Sequence, residues 1–150
     1  MSNRKAKIIV DIFMTMFVIL SFVRWDGDSG FMFHAVVGSV FTLLLALHLY
    51  LNRKWVVSAT KSMLAKKANK KVKQLYIVDL ILMVVWGIAI ITGFLAIPSF
   101  VHGIESFDIF SRIHAISSRV GAGIILIHIY QHWGHIRSYI GLKKKRKSGA

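Results

Sequence analysis

Seven histidines occur in the 150 residues, and four of them form two pairs at one interval: His34 with His48, and His114 with His128, 14 positions apart in each case. In a helix, 14 residues make almost four turns, overshooting by about 40°, and rise about 21 Å. Both imidazoles of a pair therefore sit near one face at two heights. A neutral imidazole is a nitrogen ligand, and two on opposite sides of a flat ring fill both axial positions of an iron. Bare zinc takes three or four ligands in a tetrahedron, more than two histidines per level supply. The chain has no cysteine, which excludes thiolate zinc sites, iron–sulfur clusters and covalent c-type haem attachment.

The elements that must carry these residues are apolar spans. The composition is 55% apolar with a mean hydropathy of +0.60, yet the formal charge is +14. Apolar residues collect in long runs at about 8–23, 34–51, 75–97 and 113–133, each near the roughly 20 residues a helix needs to cross a bilayer core. Backbone amides in lipid must be satisfied within their own segment, so each run is expected to be helical. A signal peptide is the rival reading of the first run, but Asp11 interrupts it and no small-residue cleavage pattern precedes Arg24. Seventeen of the twenty cations fall before span one, in the linker 52–74 or after span four, in the tail 134–150. The positive-inside rule puts that side in the cytoplasm. The expected fold is an all-α, four-helix transmembrane bundle forming one membrane domain over 1–150, with both termini cytoplasmic, in the inner (cytoplasmic) membrane. A nucleic-acid partner is not expected, because that needs a basic face on a soluble fold.

Spans two and four run the same way in this topology. Packed face to face, they would bring His34 to His114 near the outer surface and His48 to His128 near the inner one. Polar groups at membrane depth are costly and usually face the bundle interior. Between the histidines, small residues at Gly38, Ser118 and Gly121 leave room for a macrocycle edge, or serve ordinary helix packing in lipid. His132 and His135 share a face with His128; the equal interval favours His128. Arg119, five positions past His114, is expected to be a buried cation whose partner is a propionate, an outer-loop carboxylate (Glu105 or Asp108) or the interface itself. Asp11 and Asp79 lie a few residues into helices that start at the cytoplasmic face. Stabilisation by the helix dipole is the plain account, and proton delivery the functional one. His102, Glu105 and Asp108 make a polar outer-loop cluster. The linker reads as a solvated loop or as a helix lying on the inner leaflet, and Trp25, Trp55, Trp133, Tyr76 and Tyr130 as interfacial anchors. No catalytic triad or phosphate loop occurs, so no catalytic residue is assigned.

The pattern His34-x13-His48 with His114-x13-His128 resembles the core of the membrane cytochromes b, in which two parallel helices of a four-helix unit each carry two haem-ligating histidines. The likeness covers essentially the whole chain and is nearest to the small bacterial four-helix di-haem type. It implies two haem b groups with bis-histidine ligation: His34 and His114 on the outer iron, His48 and His128 on the inner, with Gly38, Ser118, Arg119 and Gly121 around them. It also implies electron relay across the bilayer between a quinone pool and a redox partner, with quinone as substrate. The outer loops are too short for a catalytic domain, so a separate redox protein or subunit is expected, with lipid as the other neighbour. Two other classes use the same features: a small metal or proton transporter lined by histidine, and a cofactor-free structural membrane subunit.

Overall fold

The computed structural model describes residues 3–23, 27–102 and 108–139. Trp25, Asp26, Glu105 and the basic tail from residue 140 lie outside the described residues, as do the side chains of Asp28, His102 and His135. The described chain is all-helical, without a strand: α1 (Asn3–Ser21), α2 (Gly27–Leu64), α3 (Lys70–His102) and α4 (Asp108–Tyr139).

The chain divides into two compact units, Met1–Ala68 with α1 and α2, and Asn69–Ala150 with α3 and α4. Each is an antiparallel helical hairpin, as the order of its cross-helix bonds requires. In the first, Asp11 meets His48 and Ser21 meets His34; in the second, Asp79 meets His128 and Ala89 meets His114.

Among the described residues, three segments are long and apolar enough to cross a membrane: Ser29–Leu64, Lys70–Ile97 and Asp108–Gly134. Helix α1 differs because Arg4, Lys5, Lys7 and Asp11 fall within its 19 residues, which leaves an uncharged apolar stretch shorter than a bilayer core requires. Large apolar side chains point outward along the long helices, Leu43 being 71% and Leu126 69% exposed. That surface suits hydrocarbon better than water. The first hairpin buries Val10, Val37, Phe41 and Ala59, and the second buries Leu75, Trp86, Ala89, Thr92 and Ala96.

Two boundaries depart from the sequence expectation. The first half of the linker is neither a loop nor a separate surface helix, for α2 continues unbroken through Asn52 and the basic residues to Leu64. No Gly or Pro falls between Gly38 and that end, so nothing in the sequence stops the helix. Likewise α3 passes Pro98 and ends at His102.

What does stop α2 is a hydrogen-bonded cap. Lys66 adopts a left-handed conformation (φ 55°), the Lys66 amide donates to Met63 O and the Lys67 amide donates to Ser62 O, the paired bonds of a Schellman motif. Asn69 then starts α3 as its N-cap, its Oδ1 accepting from the Val72 amide at 2.9 Å.

Candidate functional site

All four paired histidines are bonded through the same ring atom. His34 Nδ1 donates to Ser21 O at 3.0 Å, His48 Nδ1 to Asp11 Oδ1 at 2.7 Å, His114 Nδ1 to Ala89 O at 2.7 Å, and His128 Nδ1 to Asp79 Oδ1 at 2.6 Å. Carbonyl and carboxylate oxygens only accept, so Nδ1 carries the hydrogen in every case and the Nε2 lone pair is directed away from it. A metal-ligating histidine is commonly held in this way, by one ring nitrogen tied to an oxygen; at His48 the other nitrogen, Nε2, lies 3.5 Å from Asn52 Nδ2.

The two hairpins build this arrangement in one way. The histidines of α4 lie 80 positions beyond those of α2, and the acceptors on α3 lie 68 positions beyond those on α1: Asp79 after Asp11, Ala89 after Ser21. Each hairpin therefore pairs one histidine with a carboxylate and the other with a backbone carbonyl, in matching order. The sequence shows the echo in the histidines; the structure extends it to their partners.

Local packing explains how the rings reach their acceptors. Ser21 is the last residue of α1, and carbonyls of a final turn have no partner within their own helix, so His34 satisfies one. Ala89 lies inside α3, where its carbonyl also receives Thr92 Oγ1 at 3.3 Å. His114 can approach it only because Gly93 lacks a side chain: a Cβ there would lie 2.9 Å from His114 Nδ1. Gly93 belongs to a row of small residues, Ala89, Gly93 and Ala96, that lets α4 come close.

No family model, curated protein or solved structure matches the chain. The case for function therefore rests on the side chains themselves.

Around His128 the second hairpin adds a third group. His132 Nε2 is 3.7 Å from Asp79 Oδ2, and its ring lies 4.5 Å from that of His128. Asp79, His128 and His132 offer ligand atoms all within 4.8 Å of one another, enough to hold a metal ion. In the first hairpin Asn52 occupies the position that His132 takes in the second. Its amide donates to His48 O at 3.0 Å and lies against the His48 ring.

The remaining residues singled out in the sequence separate by helical phase. Gly38 has open space where a Cβ would be. Ser118 is half-buried on α4. Gly121 faces Trp86 of α3, whose indole lies 3.1 Å from a would-be Cβ, so within the hairpin its room is taken by tryptophan. Arg119 is exposed, contrary to the expectation of a buried cation. Five residues turn a helix by about 140° from His114, which points Arg119 off the histidine face. Tyr130 and Trp133 are exposed near the end of α4, as interfacial anchors would be.

Proposed function

We propose that the chain is an integral membrane di-haem cytochrome of b type that relays electrons across the inner membrane between a quinone pool and a separate redox protein. In this reading α2 and α4 each give one imidazole per haem, His34 and His114 to one iron, His48 and His128 to the other. The observation that carries it is the common state of the four rings, each with Nδ1 donating to an oxygen of its own hairpin. The donor set fits the group: His34, His48, His114 and His128 are imidazoles oriented through Nδ1, and they would hold two haem irons.

When bound, haem supplies one-electron chemistry. The chain's residues do the rest. Asp11, Ser21, Asp79 and Ala89 fix ring orientation and tautomer, and Gly93 admits the His114 ring. Held by His34, His48, His114 and His128 alone, such groups would serve electron relay and not dioxygen chemistry. His34 and His48 lie about 21 Å apart along α2, about two thirds of a hydrocarbon core, so a unit charge moved between those levels would couple to the membrane potential by about 1.5 kcal/mol per 100 mV.

The test is the haem content of the purified chain. Two haems per chain by pyridine haemochrome, with a sharp α-band on reduction, are expected, and His48→Ala or His128→Ala should remove one haem's absorbance and leave the other. A colourless protein would refute the reading.

One observation favours a second reading. The Asp79, His128 and His132 cluster is a candidate site for a divalent transition metal, as a metal transporter would need. Because Asn52 replaces the third group in the first hairpin, the feature common to both hairpins is the carboxylate–histidine pair, and that pair suits an oriented haem ligand.

A further inference from the structure

We propose that the second hairpin by itself binds one divalent transition-metal ion of the zinc class, on Asp79, His128 and His132. The inference goes beyond electron relay and does not rest on it. The site lies wholly between α3 and α4 and takes Nδ1 of His128, the ring nitrogen that the haem reading leaves unused.

His128 and His132 are four positions apart on α4, a spacing that sets two side chains on one helix face, and Asp79 reaches both from α3. The ligand atoms of the three residues lie within 4.8 Å of one another. Zinc bonds of about 2.1 Å to imidazole nitrogen and carboxylate oxygen, opened to the tetrahedral angle, place ligand atoms about 3.4 Å apart. His132 Nε2 and Asp79 Oδ2 stand at 3.7 Å, close to that separation and longer than a hydrogen bond. His128 Nδ1 and Asp79 Oδ1, at 2.6 Å, must open by about 0.8 Å to reach it. They do so when the ion takes the place of the Nδ1 hydrogen, which leaves to water as a proton. Two imidazoles and one carboxylate are a donor set for zinc and its neighbours, with a fourth position for water. Magnesium and calcium take shells of about six or more oxygens, which this cluster does not supply. A groove of about 360 Å³, lined by Lys71, Gln74, Leu75, Tyr130, Gln131 and Trp133, lies one helical turn from Asp79 along α3 and is the approach for the ion.

The first hairpin is an internal comparison. It has the same carboxylate and imidazole, Asp11 and His48, but four positions after His48 it carries Asn52. A carboxamide nitrogen is a donor and not a ligand, and that of Asn52 donates to His48 O at 3.0 Å. Two ligands remain there, fewer than zinc requires, so the chain should bind one ion.

The experiment is zinc titration of the full chain, purified in detergent and free of haem, in competition with a chromophoric chelator. One zinc per chain is expected, undisturbed by a large excess of magnesium. Asp79→Asn and His132→Asn should each weaken binding by about tenfold or more. His132→Asn puts in α4 the residue that α2 already carries at the corresponding place, and circular dichroism should show its helix content unchanged. Asn52→His supplies the third ligand to the first hairpin and should raise the stoichiometry to two. A wild-type chain that binds no zinc would overturn the inference. So would unchanged affinity in His132→Asn, displacement by magnesium, or a single ion in Asn52→His. Haem content does not enter these readings, so their failure leaves the cytochrome reading standing and its failure leaves them standing.

Discussion

Nδ1 of His128 lies 2.6 Å from Oδ1 of Asp79, across 49 residues of sequence, and the pair repeats that of His48 with Asp11, which are 37 residues apart. Neither distance in sequence is a helical spacing, so each bond ties two helices together. The carboxylate of the second pair is the more enclosed, Asp79 being 21% exposed against 47% for Asp11, while the imidazoles differ little, His128 at 26% and His48 at 20%.

That difference in enclosure sets the first prediction. Asp79→Ala leaves a half-buried imidazole donor without its acceptor and should destabilise the second hairpin by about 1–3 kcal/mol. Asp11→Ala should cost less, because water reaches its site more readily. Thermal unfolding of the two variants in detergent, followed by circular dichroism, checks the order.

Gly93→Ala should be among the most damaging single-carbon additions in α3. Its Cβ would lie 2.9 Å from His114 Nδ1 and 3.0 Å from Cε1, so the ring must leave the Ala89 carbonyl. A loss of about 1–3 kcal/mol is expected, the range for overpacking a tight contact. Gly123→Ala is the control, since a Cβ there meets nothing within 4 Å, and it should be neutral or stabilising. Equal effects from the two would contradict the close approach of α4 to α3 at this point.

At the turn between hairpins, Lys66 pays a steric penalty for its positive φ. Lys66→Gly should stabilise the chain by about 1 kcal/mol, and Asn69→Ala should destabilise it by about as much through loss of the N-cap. Denaturation midpoints moving in opposite directions are the expected result.

His132→Asn copies the first hairpin into the second. If the four paired histidines are the haem ligands, this variant keeps the full haem absorbance. It should weaken any zinc binding measured on haem-free protein by about tenfold or more, since one of three clustered ligands is gone. Loss of a haem in His132→Asn would move the ligand assignment from His128 to His132.

Much of this was legible in the amino-acid order. Hydrophobic runs place the three long apolar helices, and the repeated interval singles out His34, His48, His114 and His128. The partners of those histidines were not legible, because a bond between residues 37 or 49 apart depends on how two helices lie together, which periodicity within one helix does not encode. A signal was present: Asp79 follows Asp11 by 68 positions, and Ala89 follows Ser21 by the same number. Gly93 was overlooked because it lies in a span without histidine, and its role exists only toward the neighbouring helix. Arg119 is expected to be buried from its depth in the span, and it is the helical phase, about 140° from His114, that leaves it exposed.

The length of α2 carries a mechanical consequence. Its 38 residues make a rod of about 57 Å, against a hydrocarbon core of about 30 Å. Inserted upright, it must protrude as a mast, with Lys54 and Lys61 fixed in height and angular phase relative to His48. A push or twist applied at that tip travels to the imidazole through continuous helix, with no slack segment to absorb it.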